Sequence, residues 1–275
     1  MDFKAIFRKK EKLPKCSAVV LAAGSSQRMG VDKTVMQIGS MPVLVRTLLA
    51  FEKSEHVDEI IVVTRVDKIE ETAELCHGKG LSKLRMVIGG GATRMESALA
   101  GVSACRKDAK LIAIHDGARP FVSQELISRT VYAAEKYISA VPVIPSTDTL
   151  KIVDENGVVV GTPDRSKVFR VQTPQIFHAD MIKGALTKAA KDQLSITDDC
   201  SAMDMMGVKT HVVEGDIDNI KLTTPHDIVI AEAELGIESL KVIISPYDDK
   251  NREVFVKHGY TVMDSKSFLE KYSAQ

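Results

Sequence analysis

Three stretches of this chain carry residue types and spacings suited to phosphate chemistry. In Ser17–Lys33, SAVVLAAGSSQRMGVDK, an apolar run breaks into the small-residue loop Ala22-Ala23-Gly24-Ser25-Ser26, with Arg28 and Lys33 just beyond. Small residues after a strand let backbone N–H groups approach a phosphate without a Cβ clash, and both cations would face the same negative charge. The spacing is neither that of the P-loop nor that of the three-glycine dinucleotide fingerprint. Taken alone, the segment reads equally as an ordinary strand-to-helix turn with two solvated cations. The second stretch is Gly89-Gly90-Gly91, followed by Arg94 and Ser97. Its glycines offer close backbone approach to a planar base, or else form a loose turn. The third is His115-Asp116-Gly117-Ala118-Arg119-Pro120. Asp116, at a strand terminus, is a natural Mg2+ ligand, because that ion takes one or two carboxylates plus substrate phosphate oxygens. Its other reading is a cap on the next helix. Arg119 reads as the partner of a carboxylate that fixes the loop. Lys221, beside Asn219, adds a further cation.

These residues need elements that bring them together. Strand-like runs at the start of the first stretch, at Glu59–Thr64, Leu84–Ile88 and Lys110–Ile114 alternate with helical patterns over Pro42–Ser54, Lys68–Cys76 and Arg94–Ala104. The runs are apolar throughout rather than alternating, which predicts a parallel sheet covered on both faces. Ligands of such sheets sit outside the carboxyl ends of the strands, so all three stretches are expected along one edge. After about Ser139 the rhythm changes. Ala140–Pro145 reads as a strand, and Asp148–Val160 as a hairpin around Asp154-Glu155-Asn156-Gly157, part of an arm of short strands reaching Val171. Thr149 and Arg165 lie on that arm; by themselves they read as strand propensity and a solvated charge. Helical patterns return at Ala179–Ala190, Asp199–Met206 and Pro225–Leu235, with a strand at Lys209–Val213. Thr197-Asp198-Asp199 and Thr223-Thr224-Pro225 read as helix starts. The last forty or so residues show a strand-helix-strand-helix pattern, at Lys241–Ile244, Lys250–Lys257, Tyr260–Met263 and Lys266–Tyr272, with no legible motif.

Composition removes several function classes. Basic and acidic side chains balance at 37 each among 275 residues, without the electrostatic footprint of a dedicated nucleic-acid binder. The basic start (Lys4, Arg8, Lys9, Lys10, Lys12, Lys15) leads into no long apolar segment, so it makes a poor signal peptide, and no run approaches membrane-span length. Cys16, Cys76, Cys105 and Cys200 form no C-x-x-C pair, and the seven histidines show no metal-ligand spacing. They predict a soluble, cytoplasmic protein with reduced thiols and no protein-ligated zinc.

Taken in order, the motifs resemble the 2-C-methyl-D-erythritol 4-phosphate cytidylyltransferase family of nucleotidyltransferases. They are LAAGSSQRMG, the GG-x-x-R-x-x-S form at Gly90–Ser97, HDGARPF at His115–Phe121, DTLK at Asp148–Lys151, QTPQIF at Gln172–Phe177, TDD at Thr197–Asp199 and DNIKLTTPHD at Asp218–Asp227. The resemblance covers about Cys16–Leu235. It implies a Rossmann-like α/β domain with a mostly parallel sheet, spanning 16–235, and a β-arm over about 146–171 that interlocks in a homodimer. Residues 1–15 would be a basic tail and 236–275 a small α/β appendage. The implied reaction transfers CMP from CTP to a sugar-alcohol phosphate, with Mg2+, releasing pyrophosphate. Its product would be 4-diphosphocytidyl-2-C-methyl-D-erythritol, a non-mevalonate isoprenoid precursor. Carried over by motif, Ala22, Ala23, Gly24, Gly91 and Ser97 would hold cytosine and ribose. Arg28, Lys33 and Lys221 would neutralise the triphosphate and the transition state, and Asp116 would bind Mg2+. Thr149 and Arg165 would hold the acceptor phosphate. The residue chemistry agrees: a phosphate oxygen already ionised at neutral pH needs charge neutralisation and in-line positioning rather than a strong base.

The chain departs from the family pattern in Asp32-Lys33-Thr34, where Pro-Lys-Gln is usual, and in Gly117, where Ala is common. The first variant is closer to molybdopterin cytidylyltransferases. Ribitol-5-phosphate cytidylyltransferase is the nearest alternative, though its loop more often reads LAGG. A catalytically silent nucleotide-binding regulatory protein is the alternative of a different class.

Overall fold

The computed structural model describes residues 13–24, 36–194 and 196–236, together with the backbone of strands at 242–244 and 261–263. In chain order its first half contains β1 (Cys16–Leu21), β2 (Gln37–Ile38), β3 (Met41–Pro42), α1 (Val43–Lys53), β4 (Val57–Thr64), α2 (Ile69–Cys76), β5 (Leu84–Gly89), α3 (Arg94–Ala104) and β6 (Leu111–Asp116). There follow α4 (Gln124–Tyr137), β7 (Ser139–Pro145), β8 (Ile152–Val153), β9 (Val159–Gly161), β10 (Phe169–Val171), β11 (Gln175–His178), α5 (Ala179–Lys191), α6 (Asp199–Met205) and β12 (His211–Glu214). The described residues divide after Thr224 into two compact units. The second holds α7 (Pro225–Glu234) and the parallel pair β13 (Val242–Ile244) and β14 (Thr261–Met263). Thus α7, read with the main domain on sequence, falls in the second unit, and the helices read at Lys250–Lys257 and Lys266–Tyr272 lie outside the described residues.

β1 lies inside the main sheet, between β6 and β4, because its β-branched and small side chains suit burial on both faces. Ala18, Val19 and Val20 are fully buried. It pairs in parallel with β4 and β6, and β4 with β5. Beyond β6 the sheet turns mixed: β11 is antiparallel to β6 and to β7, and β12 is parallel to β7. Ala140 faces Ile176 on one side and His211 on the other, so β12 lies across β7 from β11.

Side-chain alternation sends Ala18, Val20, Ile60 and Val62 toward α1 and α4, where Leu48, Phe51, Leu126 and Val131 cover them. Val19, Ile61, Val63 and Ile114 meet Ala98 and Val102 of α3 and Leu186 of α5 on the opposite face. α3 approaches especially closely, since a Cβ on Gly101 would lie 2.8 Å from Val63 Cγ2 and nearer still to Val19. That contact sets where the N-terminus of α3 stands.

The helices and parallel strands lie where the apolar periodicity predicts them. Four elements were not legible, the short strands β2 and β3, α4 and the antiparallel strand β11, and β12 begins two residues later than its reading. The hairpin forms as read: β8 pairs with β9, and the Asp154 carboxylate accepts from the N–H groups of Asn156 and Val158. β10, however, leaves the arm and pairs with β7 in the main sheet. Among the described residues no helix is long and apolar enough to cross a membrane.

Candidate active site

The carboxyl ends of the central strands stop at one level. Leu21 of β1 is in register with Asp116, the last residue of β6. Backbone bonds Ala22 N–H to Val63 O (2.7 Å), Gly90 N–H to Thr64 O (2.7 Å) and Gly117 N–H to Leu21 O (2.8 Å) continue the ladder one residue past each strand. The three loops read from sequence therefore leave the sheet along the same edge. Gly90 sits between two of them: a Cβ there would lie 2.5 Å from Ser97 Oγ and 3.1 Å from Ala23 Cβ. Only glycine fits that approach.

The glycine run is an ordered helix entry. Thr93 caps α3 by accepting from Glu96 N–H at 3.1 Å, and the Glu96 carboxylate accepts from Thr93 N–H at 3.1 Å, a reciprocal capping box. A Cβ on Gly91 would collide with the Glu96 side chain. The positive end of α3 is thereby held beside Ala23, a disposition that suits an anionic ligand.

Asp116 lies among three cations. Lys221 Nζ is 2.8 Å from its Oδ2, Arg119 Nε 3.6 Å from the same oxygen, and Arg94 Nε 3.8 Å from Oδ1. Burial alone would raise the Asp116 pKa, but Lys221 and Arg94, with Arg119, outweigh it and bring it down to about 2. Arg94 also donates from Nη2 to Oδ2 of the fully buried Asp199 at 2.8 Å. Burial raises the Asp199 pKa against the pull of Arg94. Desolvation likewise works against the charge on Arg94, yet Asp199 and Asp116 leave its proton held more firmly than usual.

A closed cycle of hydrogen bonds supports this cluster. His115 Nε2 lies 3.2 Å from Arg119 O, a carbonyl that can only accept, so the proton belongs on Nε2. His115 Nδ1 then accepts from the Thr173 hydroxyl at 3.0 Å, while Thr173 Oγ1 accepts from Asp116 N–H at 3.1 Å. Burial lowers the His115 pKa to about 4, keeping the ring neutral near pH 7. Arg119 Nη1 donates to Asn219 O (2.7 Å), and Asn219 Nδ2 returns to Thr173 O (2.8 Å). Leu222 N–H to Ala118 O (2.9 Å) completes the link to the segment carrying Lys221.

The sequence model of 2-C-methyl-D-erythritol 4-phosphate cytidylyltransferase matches residues 16–237. The chain belongs to this family. A relative of that description from Caldanaerobacter subterraneus is 40% identical over 223 residues, covering 78% of this chain and 96% of its own. Another, from Halalkalibacterium halodurans, is 41% identical over 222 residues, with 80% and 96% covered. Among solved structures, the 4-diphosphocytidyl-2C-methyl-D-erythritol synthase of Anaerococcus prevotii superposes with a TM-score of 0.73 at 34% identity, covering 81% of this chain and 96% of that one. As a family member the chain is a cytidylyltransferase.

Within the family's span, Ala22, Ala23, Gly24, Gly91, Ser97, Asp116 and Lys221 fall along the edge where the three loops meet. Arg28 and Lys33 lie outside the described residues. Thr149 and Arg165 are exposed on the arm, and Arg165 Nη1 donates to Thr147 O at 3.1 Å. Among the described residues no ion pair joins Arg165 to Asp116. Asp116 is not the cap of the following helix, because the Ser123 hydroxyl accepts from Leu126 N–H and caps α4. Arg119 fixes its loop as read.

The sequence reading missed Thr173, Gln175 and Asp199. Asp198 does cap α6, accepting from Ser201 N–H, but Asp199 beside it is the buried partner of Arg94. Gln175 Oε1 accepts from the N–H groups of Asp199 (3.1 Å) and Cys200 (3.2 Å), and its Nε2 donates to Asp198 Oδ2 (3.1 Å). The one available signal was QTPQ itself, a run of hydrogen-bonding residues that becomes a buried hub joining three loops.

Proposed function

We propose that the protein transfers CMP from CTP to 2-C-methyl-D-erythritol 4-phosphate, releasing pyrophosphate and forming 4-diphosphocytidyl-2-C-methyl-D-erythritol. The observation that carries this reading is Asp116 held beside Lys221, Arg94 and Arg119 at the edge where Gly90, Ser97 and Ala23 converge. Ala22–Gly24, Gly91 and Ser97 hold the base and ribose. Arg28, Lys33 and Lys221 hold the triphosphate and neutralise charge as the acceptor's phosphate oxygen attacks the α-phosphorus. That oxygen is already anionic near pH 7, so orientation and electrostatics supply the catalysis.

Asp116 offers hard carboxylate oxygens, and among the described residues no group of three or more His, Cys, Asp or Glu side chains stands ready to cage an ion. That donor set fits Mg2+, which takes one or two carboxylates and fills its shell with water and phosphate oxygens. Bound there, Mg2+ supplies further neutralisation of the triphosphate.

The same reading makes the protein a homodimer through its arm. In support, Ile152, Val153, Val158, Val159 and Val160 of the arm are all at least half exposed, Val160 reaching 61%. Apolar surface of that density calls for a cover. Thr149 and Arg165 then reach the acceptor phosphate in the neighbouring subunit's site, where a planar guanidinium can hold two oxygens. The free thiols fit a reducing compartment, and we place the protein in the cytoplasm.

Phosphorus NMR of CTP, Mg2+ and methylerythritol phosphate with the protein tests the reaction. The expected spectrum shows free pyrophosphate and the paired signals of a new pyrophosphate diester. A faster reaction with ribitol 5-phosphate would reassign the acceptor.

A further inference from the structure

Lys221 lies on a stretch with no secondary structure of its own, between the end of β12 at Glu214 and Thr224. Its aim at Asp116 therefore depends on what holds residues 215–222. Much of that grip comes from Gln172, which is 3% exposed and directly follows β10 at the return of the arm. Gln172 Nε2 donates to Asp216 O at 2.7 Å and to Asn219 O at 3.4 Å, and its Oε1 accepts from Asp216 N–H at 3.0 Å. Its own backbone N–H donates to Pro142 O at 2.8 Å, so the amide is anchored to β7. Gly215 makes the approach possible: a Cβ there would lie 2.7 Å from Gln172 Oε1 and 2.8 Å from Val143 O. Both ends of one buried amide are thus spent on the backbone of the segment that delivers the lysine.

We propose that Gln172 is a positioning residue for Lys221, aiming its ammonium by clamping residues 216–219 to the root of the arm. The inference rests on the CMP-transfer reading of the Asp116–Lys221 site and adds to it the side chain on which that geometry depends. A lysine displaced by about 1 Å still binds nucleotide but no longer meets the charge that develops in the transition state, a loss that reaches about 100-fold.

The test compares wild type with Gln172→Met, Lys221→Ala and the double variant. Methionine keeps the length of the side chain and removes both polar ends. Q172M is expected to lower kcat about tenfold or more and leave KM for CTP within about threefold. In the Lys221→Ala background the same change should cost less than about twofold, because the group it positions has gone. A kcat for Q172M within about threefold of wild type overturns the proposal, and so does a further tenfold loss in the double variant. Should Q172M fail to fold, Gln172→Leu carries the same comparison. Hydrogen exchange provides an arm independent of turnover: residues 215–222 should exchange faster in the variant while β6 stays protected, and unchanged exchange there overturns the clamp. If the wild type releases no pyrophosphate, the transfer reading falls, and exchange still decides whether Gln172 holds the segment.

Discussion

Asp116, Lys221, Arg94 and Asp199 form a linked set of two carboxylates and two cations, and removing one member leaves the others mispaired. Lys221→Ala is expected to lower kcat by about 10²–10³, the scale of one preorganised electrostatic contact. CTP affinity measured by calorimetry should change far less; equal losses in both would make Lys221 a ground-state binding group only. Residues remote from the site obey the same electrostatics with a different consequence. Glu59 is buried and accepts from Ser17 Oγ (2.5 Å), Arg85 Nε (2.5 Å) and Arg106 N–H (2.7 Å). Burial alone would raise its pKa, but the bonds from Ser17, Arg106 and Arg85 hold it below the usual carboxylate value. A folded pKa below the unfolded one, about 4.3, stabilises the protein fully above that pH, and the contribution is lost as pH falls through the folded value. Glu59→Gln should therefore cost about 1–3 kcal/mol at pH 7 in urea unfolding, with the gap to wild type closing below about pH 4. A gap that stays constant down to pH 3 would rule out this carboxylate as a source of acid lability.

Among the elements, α3 links packing to function most directly. Its middle rests on β1 and β4 at Gly101, and its first turn carries Arg94 and Ser97. Gly101→Ala places a methyl within 2.8 Å of Val63 Cγ2, so the helix must shift or the sheet must give. We expect a loss of about 1–3 kcal/mol in stability and a raised KM for CTP, both readable in one purified variant. An unchanged KM would mean that the helix N-terminus does not contact the nucleotide. The parallel half of the sheet was legible because its strands are buried on both faces and read as unbroken apolar runs. α4 was harder to read because its buried stripe includes Thr130, whose hydroxyl is satisfied by Leu126 O at 2.7 Å, and a polar core position blurs the period. β11 is four residues long and held by antiparallel pairings to strands on both sides, which local sequence does not reveal. The three loops of the site could be placed from strand order alone. The Arg94–Asp199 pair could not, since 105 residues separate its members and only the packed fold joins them.

On the scale of the whole molecule, the number of subunits that build one site and the reaction at that site each have a direct test. Arg165→Lys should raise KM for the acceptor and leave that for CTP nearly unchanged, because an ammonium cannot copy the two-pronged grip of a guanidinium. Mixing inactive Arg165→Ala and Lys221→Ala subunits should restore part of the activity if the arm serves its neighbour's site; no recovery after verified subunit exchange would place both residues in one chain's site. The most direct test of the central claim is the initial rate of pyrophosphate release, with methylerythritol phosphate as acceptor and CTP, UTP or ATP as donor. The account predicts release that requires the acceptor and strongly favours CTP, since a site that bonds a base edge rejects bases that leave its groups unpaired. CTP binding without pyrophosphate release, or equal rates with ATP, would contradict it.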